Sequence, residues 1–208
     1  MTLRSRNDLH LARRIWHVAG VLVIFTLYWL LTPRTAAYAT LAASALLIGC
    51  DVARLYVPAL NRIFTWIFGA VLRESERRKV SGITATMVGV SLIIWIYPKN
   101  VVLLALLFLA IADPLASYFG IRFGRDKLVG DKSLQGTLAA FAACFIISLV
   151  YFLMLDLMRE RLFIVCLLSA LIGAISELAP VAGLDDNFVF PVLSSTLLMG
   201  LFYVFGGL

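Results

Sequence analysis

Charged side chains are scarce in this sequence. Only 14% of its 208 residues are Asp, Glu, Lys or Arg, whereas 62% are hydrophobic. A soluble domain is nearer half apolar and about a quarter charged, so the composition excludes an ordinary soluble protein and predicts one that lies in a bilayer. At roughly 20 residues per membrane-spanning helix, the chain has room for about seven helices and for no separate soluble catalytic domain.

Cysteine is also rare. Cys50, Cys144 and Cys166 are three single cysteines, each within an apolar stretch. They fit neither a disulfide framework nor a zinc spacing, so we expect small core residues. The first sixteen residues are basic and polar, and no small-residue cleavage site precedes the first long apolar run. This pattern favours a retained first helix over a signal peptide.

Seven apolar runs are long enough to cross a membrane, and turn or charge signals separate them. We predict spans at about 15–32, 36–55, 81–98, 100–120, 136–156, 161–181 and 188–207. Segment 56–80 is amphipathic and predicts an interfacial helix followed by a basic loop. The sequence therefore predicts an all-α polytopic membrane helix bundle, with about seven transmembrane helices and one interfacial helix, as a single domain over residues 1–208.

The cations predict the orientation of these spans. With a cytosolic N-terminus, 14 of the 18 cations lie on the cytosolic side, and the opposite side keeps Arg34, Lys99, Arg159 and Arg161. Cytosolic loops are enriched in Lys and Arg, so we expect the N-terminus inside and the C-terminus outside. The net charge of +6 then reflects topology and anionic lipid headgroups, and we expect no nucleic-acid partner.

Most of the acids fall on the same side. Asp51 lies at the inner end of the second predicted span, and Asp113 lies inside the fourth, roughly 10 Å deep. Glu177 lies near the inner end of the sixth span, followed by Asp185 and Asp186 in a loop. Acids within spans are energetically costly and mark functional sites. The sequence therefore predicts a site at the cytosolic face.

Stretch 113–137 combines glycines, cations and a helix start. Its members are Gly120, Gly124, Gly130 and Gly136, then Arg122, Arg125, Lys127 and Lys132, then Ser133 and Thr137. Such a set can cradle a polyphosphate at a helix N-terminus. The Walker A spacing is missing, and the spacing alone equally allows an ordinary basic loop with glycine caps.

Segment 185–187, Asp-Asp-Asn, offers hard oxygen ligands suited to Mg²⁺. Asp186 or Asn187 could instead cap the last helix. Glu177 is harder to explain as a cap, because it lies within an apolar run, and it is either a site residue or a buried partner of a structural cation.

Two more segments carry polar residues at predicted inner helix ends. The third span opens with Ser81, Gly82 and Thr84, a set that favours binding of an anion. Ser81 could equally be a plain N-cap of that helix. Arg14 and His17 are three residues apart and share a helix face. Arg14 could set topology or bind phosphate, and His17 could carry a proton, contact a phosphate or have no chemical role.

Each motif alone is weak, but all of them lie at one membrane face. A nucleotide phosphoryl donor that meets a lipid there needs metal ligands for its phosphates, cations for developing charge and a carboxylate for the hydroxyl proton. Four separate segments supply these groups. The pattern therefore favours phosphoryl transfer at the membrane surface.

In sequence order, the chain carries Arg-Arg-x-x-His at 13–17, Ser-Gly-x-Thr at 81–84, the glycine-rich stretch 113–137 and a Glu…Asp-Asp-Asn…Pro segment over 177–191. This pattern resembles the family of membrane lipid-alcohol kinases that comprises dolichol kinase, phytol kinase and CTP-dependent diacylglycerol kinase. The resemblance spans about residues 13–195.

The resemblance implies transfer of the γ-phosphoryl group of CTP (or ATP), with Mg²⁺, to an isoprenoid alcohol (polyprenol, dolichol, phytol) or to diacylglycerol. The expected catalytic residues are Asp113, Asp185, Asp186, Lys132 and His17. The expected nucleotide ligands are Ser81, Gly82, Thr84, Gly120, Gly124, Arg125, Lys127, Lys132, Ser133, Gly136, Thr137 and Arg14. The expected metal ligands are Asp113, Glu177, Asp185, Asp186 and Asn187.

The chain departs from this family at Gln135, where many members have a glutamate before Gly136. Its short length is closer to the prokaryotic and phytol kinase members, so we expect a multi-pass protein of a prokaryotic cytoplasmic membrane. One alternative is a phosphatidate cytidylyltransferase-like enzyme that makes a CDP-lipid, but the signatures of that family and of the CDP-alcohol phosphotransferases are missing. The other alternative is a transporter, which the lack of repeated halves disfavours.

Overall fold

The computed structural model describes residues 11–181 and 183–208 as a bundle of helices. Within those residues the α-helices are α1 (Leu11–Leu30), α2 (Pro33–Tyr56), α3 (Pro58–Phe68), α4 (Gly82–Ile96), α5 (Lys99–Leu107), α6 (Asp113–Phe123), α7 (Leu134–Met154), α8 (Leu162–Leu178) and α9 (Asp186–Phe205). A π-helical turn, Phe108–Ala112, joins α5 to α6, and 3₁₀ turns form at Glu74–Arg77 and Arg159–Arg161.

Strands β1 (Lys127–Val129) and β2 (Lys132–Ser133) pair antiparallel as a short hairpin between α6 and α7. Gly130, in the turn, has a φ of +54°, which glycine adopts without strain. The sequence predicted only a loop here. The hairpin matters because it holds Lys132 immediately before α7.

Six helical segments in the described part of the chain are long and apolar enough to cross a membrane. They are α1, α2, the continuous segment Lys99–Phe123, α7, the segment Arg159–Leu178 and α9. The predicted all-α membrane helix bundle is thereby confirmed. The span predicted at 81–98 is the apolar helix α4, which has 15 residues and is therefore about 22 Å long at 1.5 Å per residue. The count of seven spans stays a prediction.

Side-chain caps begin several helices, and the cap of α9 is Asp185 rather than the predicted Asp186 or Asn187. Thr32 Oγ1 accepts from the Thr35 N–H, Ser133 Oγ accepts from the Gly136 N–H, and Asp185 Oδ1 accepts from the Asn187 N–H. Each bond satisfies an amide that has no partner within the first helical turn. The caps of α7 and α9 also place Ser133 and Asp185 at the same end of the bundle, because both helices start there.

Helix α5 and the π-helical turn form the centre of the core. Residues 101–106 are buried on every side, and α5 packs against α1, α7 and α9. Cys144 and Cys166 lie in the same core as predicted, whereas Cys50 is exposed on the surface of α2. Helices α7 and α8 pack against each other, with Gly173 of α8 lying against the Cys144 side chain of α7.

Helix α3 occupies the segment predicted to be amphipathic. None of its residues is buried, and Trp66 and Ile67 are strongly exposed. This is a helix with an unpartnered apolar surface. Its position in a membrane interface stays a prediction.

Asp51 and Arg54, at the end of α2, form a fully buried ion pair with an Oδ1 to Nε distance of 2.5 Å. Arg54 also donates to the carbonyl oxygens of Glu76 and Lys79, and the second oxygen of Asp51 accepts from both the amide and the hydroxyl of Ser81. The pair therefore ties the loop after α3 and the start of α4 to the end of α2.

Arg54→Met should destabilise the fold strongly. The substitution removes every hydrogen bond that Arg54 makes to the loop and leaves the Asp51 carboxylate buried without its cation, which typically costs about 3–5 kcal/mol. The measurement is the midpoint of thermal unfolding in detergent. Arg62→Met, which removes an exposed cation from α3, should leave the midpoint unchanged. Equal midpoints for both variants would contradict the structural role of the pair.

Candidate active site

A cavity of about 430 Å³ lies at the end of the bundle where α6 ends and α7 and α9 begin. Its lining comprises Arg73, Asp113, Ala116, Ser117, Gly120, Ile121, Gly124, Lys127, Asp131, Lys132, Ser133, Gly136, Glu177, Asp186 and Asn187. We call it the polar cavity. Ten of these residues are among those predicted from the sequence, and they come from stretch 113–137 and from segment 177–191.

Lys132 extends from β2 to two acids on other helices. Its ammonium nitrogen lies 2.8 Å from Glu177 Oε1 and 3.8 Å from Asp186 Oδ2. Burial lowers the pKa of Lys132, but the carboxylates of Glu177, Asp113 and Asp186 raise it by more, so the pKa lies above the ordinary lysine value. Lys132 therefore stays charged at physiological pH and puts a fixed positive charge in the polar cavity.

Glu177 is the buried partner of this cation. Its residue exposure is 6%, and the Thr137 hydroxyl lies 3.3 Å from its second oxygen. Of the two alternatives that the sequence left open, the geometry favours the buried partner of a structural cation, although Glu177 also lines the polar cavity. Its role as a metal ligand stays a prediction.

Glycines allow α6 and α7 to approach closely beside the polar cavity. A Cβ atom on Gly136 would lie 2.8 Å from the Ala116 carbonyl oxygen and 3.2 Å from the Gly120 Cα. A Cβ on Gly120 would lie 3.3 Å from Ser133 Oγ. These glycines therefore bring the N-terminus of α7, which is the positive end of its helix dipole, against the floor of the cavity.

Gly136→Ala should separate the two helices and impair the site. The new methyl group overlaps the backbone of α6, which cannot shift without moving Asp113 and the hairpin. We expect a fall in the thermal midpoint and at least a tenfold loss of activity. Gly20→Ala is the matched control, since a Cβ there meets nothing within 4 Å and alanine favours a helix. A Gly136→Ala protein with unaltered activity would show that the close approach is not needed.

The π-helical turn places Asp113 and explains the position of His17. The Asp113 amide donates to the Phe108 carbonyl, five residues back, so the Leu109 carbonyl loses its usual helical donor. Pro114, the next residue, has no N–H to offer. His17 Nε2 lies 3.0 Å from this Leu109 oxygen and 3.8 Å from Asp113 Oδ2. Since a carbonyl only accepts, the bond requires the hydrogen on Nε2.

His17 therefore holds the backbone turn that carries Asp113 and does not itself line the polar cavity, among the residues the structure describes. The arrangement favours a positioning role over proton transfer by the histidine, whose catalytic assignment stays a prediction. π-Helical turns of this kind are frequent at functional sites, where they turn one side chain out of helical phase.

Arg14 lies one helical turn before His17 on α1. Its Nη2 donates to the Ser117 hydroxyl at 3.2 Å, and its guanidinium lies 5.4 Å from the centre of the Tyr118 ring. Ser117 lines the polar cavity, so Arg14 stands directly behind that wall. The neighbouring Arg13 has a different task, since it binds both oxygens of Glu76 and the Val71 carbonyl.

At the start of α9, the three polar residues of segment 185–187 differ in position, because one caps the helix and two face the polar cavity. Asp185 is the helix cap and accepts from both the amide and the side chain of Asn187. Asp186 and Asn187 line the polar cavity. In the described chain Asp185 thus lies outside that lining, and its catalytic and metal-binding assignments stay predictions.

Ser81, Gly82 and Thr84 lie beside the polar cavity, and its described lining does not include them. The Ser81 side chain serves as the N-cap of α4 and binds Asp51, as the alternative from the sequence allowed. A Cβ on Gly82 would overlap the side chains of Arg13 and Asn187. The motif therefore brings the start of α4 against α1 and α9, and its nucleotide-binding role stays a prediction.

The Gln135 side chain, which follows β2, forms hydrogen bonds to Arg125 and Asp126, which precede β1. Gln135 accepts from the Arg125 amide at 3.1 Å and donates to Asp126 Oδ2 at 2.9 Å. An ionised glutamate at position 135 could not make the second bond, because it has no hydrogen to donate. Arg125 itself lies outside the polar cavity's described lining.

Across residues 11–181 and 183–208, no group of three His, Cys, Asp or Glu side chains converges as a metal site. The polar cavity does contain Asp113, Asp186 and the amide of Asn187. Mg²⁺ is commonly held by one or two carboxylates together with substrate phosphates, so this donor set fits a cation that arrives with a nucleotide.

Five residues that line the polar cavity were not predicted as site residues, and three of them are polar. Arg73 comes from the loop after α3, Ser117 from the face of α6 that carries Gly120, and Asp131 from the hairpin turn. The helical spacing of Ser117 from Asp113 and Gly120 could have indicated that residue. Nothing in the sequence around Arg73 indicates that its loop folds back over the site.

Comparison with known proteins found relatives. The chain is 33% identical over 158 residues to CTP-dependent diacylglycerol kinase 1 of Schizosaccharomyces pombe, covering 71% of this chain and 72% of that protein. It is 25% identical over 203 residues to the Saccharomyces cerevisiae protein of the same name, covering 88% and 70%. An uncharacterised protein of Rickettsia prowazekii is 30% identical over 199 residues, covering 91% and 95%.

No family model matches the chain, and no solved structure matches it. The named relatives agree with the diacylglycerol kinase part of the resemblance seen in the sequence. Its dolichol kinase and phytol kinase parts stay predictions.

Proposed function

We propose, since this chain belongs to the CTP-dependent diacylglycerol kinase family, that it transfers the γ-phosphoryl group of CTP to the hydroxyl of diacylglycerol. The observation that carries the proposal is the polar cavity, in which Lys132, two carboxylates and a helix N-terminus meet at one end of a membrane helix bundle. The names of the relatives favour diacylglycerol over the isoprenoid alcohols and CTP over ATP.

The cations and the α7 N-terminus would bind the triphosphate. Lys132 and Lys127 supply positive charge from the hairpin, and the positive end of the α7 helix dipole adds to it. The fixed charge of Lys132 would stabilise the negative charge that develops on the leaving oxygen. These groups act by position and charge, which is how most of the catalysis of phosphoryl transfer is achieved.

Asp113 would accept the proton of the attacking alcohol. The lipid oxygen forms a bond to the γ-phosphorus while the bond from that phosphorus to the bridging oxygen breaks, so the products are CDP and phosphatidate. Asp113 has a partly exposed carboxylate in the cavity wall, and the His17-bound turn holds it in place. Asp186 and Asn187 would hold Mg²⁺, which supplies charge neutralisation for the phosphates when bound.

The orientation follows from the positive-inside rule. We place the polar cavity at the cytosolic face, the α1 N-terminus inside and the C-terminus outside, with α4 as the seventh span. The match to the Rickettsia protein over 95% of its length supports a prokaryotic cytoplasmic membrane.

The test is transfer of labelled phosphate by the purified protein. The protein is given γ-labelled CTP or ATP with Mg²⁺ and, separately, diacylglycerol, phytol and a polyprenol. We expect labelled phosphatidate with one CDP formed per lipid phosphate. Label in phytol or polyprenol instead would overturn the lipid assignment. Release of pyrophosphate with formation of a CDP-lipid would replace the kinase by the cytidylyltransferase alternative.

A further inference from the structure

A second cavity, of about 980 Å³, lies between α2, α4 and the start of α9. Seven apolar residues line its wall, namely Ile48, Leu55, Val80, Ala85, Val88, Leu184 and Phe188. Ile48 and Val80 are 44% and 51% exposed, so this wall faces the outside of the bundle, where lipid would lie. We call it the amphipathic groove.

The polar part of the amphipathic groove is at its loop end. Arg73, Glu74 and Lys79 of the loop and Asp185 of the α9 cap lie there. Ile48 lies eight residues before the end of α2, so the apolar part extends about 12 Å into the bundle at 1.5 Å per residue. A polar end near the surface and an apolar wall below it match the glycerol and acyl chains of a diacylglycerol.

The amphipathic groove is directly beside the polar cavity. Arg73 lines both spaces, and the first turn of α9 is the partition between them. Asp186 and Asn187 face the polar cavity on one side, whereas Asp185 and Phe188 face the groove on the other. A hydroxyl at the polar end of the groove is therefore separated from the predicted phosphate site only by the side chains of the first turn of α9.

The other large apolar space fits this purpose less well. It has a volume of about 590 Å³, lies between α1 and α7, and is lined by Trp29, Leu30 and Met154. Its lining reaches from Ile111, in the π-helical turn two residues before Asp113, to Leu30, which is about 24 Å from the end of the bundle that carries the polar cavity. Its lining has almost no polar group to receive a glycerol.

We propose that the lipid substrate binds in the amphipathic groove, with its acyl chains along α2 and α4 and its glycerol at Arg73 and Lys79. This inference rests on the proposed function for the identity of the substrate. The two cations of the polar end also complement the phosphate that the product carries, so the same groove would release phosphatidate sideways into the membrane.

The first test maps the lipid without requiring turnover. A diacylglycerol with a photoreactive diazirine in one acyl chain is irradiated with the full-length protein in nanodiscs, and the adducts are located by mass spectrometry. We expect adducts on α2, on α4 and on the start of α9, suppressed by unlabelled diacylglycerol but not by phosphatidylcholine. Adducts confined to α1 and α7, or adducts that unlabelled diacylglycerol does not suppress, would overturn the proposal.

The second test separates the two substrates kinetically. Ala85→Trp fills the groove, and we expect the KM for diacylglycerol to rise at least tenfold while the KM for CTP is unchanged. Ile146→Trp fills the space between α1 and α7 and should behave as wild type. The reverse pattern would overturn the proposal. If the unaltered protein transfers no phosphate to any lipid, the proposed function fails, and the adduct map still decides where diacylglycerol binds.

Discussion

Asp113→Asn should reduce kcat by about 10²–10⁴-fold while the KM for CTP changes little. The range is that of a positioned general base, and asparagine keeps the shape of the side chain but cannot take the proton of the lipid hydroxyl. The measurement is steady-state phosphatidate formation with CTP and diacylglycerol both varied. Asp156→Asn is the matched control, because Asp156 is an exposed acid that pairs with Arg159 in the loop between α7 and α8.

The same variant distinguishes two roles for Asp113. If the carboxylate holds Mg²⁺, the concentration of Mg²⁺ for half-maximal rate should rise, and excess Mg²⁺ should restore part of the rate. If it accepts the proton, no concentration of Mg²⁺ restores the rate. A wild-type kcat at every Mg²⁺ concentration would remove Asp113 from both roles.

Lys132→Met should have the second large effect, on both binding and stability. The KM for CTP should rise at least tenfold, because a charge-assisted contact to phosphate is lost. The protein should also lose about 3–5 kcal/mol of unfolding free energy, because Glu177 remains buried without its cation. Thermal unfolding in detergent and steady-state kinetics measure the two effects separately.

A second substitution separates binding from stability. Lys132→Met combined with Glu177→Gln removes both charges, so the thermal midpoint should recover while the KM for CTP stays high. Arg34→Met, which removes an exposed cation outside both cavities, should change neither quantity. Recovery of CTP affinity in the double variant would mean that Lys132 serves the fold alone.

The sequence predicted the helices and most of the polar cavity for a physical reason. Apolar length marks a span, and polar residues within or beside a span are costly enough to be informative. That reasoning located Asp113, Lys132, Gly136 and Glu177 at one end of the bundle, where the structure brings them together. The position of Ser133 at a helix start followed from local helix chemistry, whereas the cap of α9 is Asp185 and not the predicted Asp186 or Asn187.

The remaining features depend on contacts between distant segments. Arg54 was interpreted only as a topological charge, because nothing local shows that loop carbonyls fold onto it. The π-helical turn escaped prediction because residues 108–112 are as apolar as any α-helical span, and only Pro114 signals an irregularity. The contact of His17 with Leu109 follows from that irregularity and was therefore hidden as well.

The buried position of α5 has a consequence for how the chain enters the membrane. In the segment Lys99–Phe123, 61% of the apolar stretch is buried inside the protein, whereas only 11% of the apolar stretch of α1 is buried. The buried segment is nevertheless the more apolar of the two. Helices generally insert one by one before they associate. On that order of events, α5 faces lipid until its neighbours pack around it, so we expect a polar substitution there to impair insertion before it affects the folded protein.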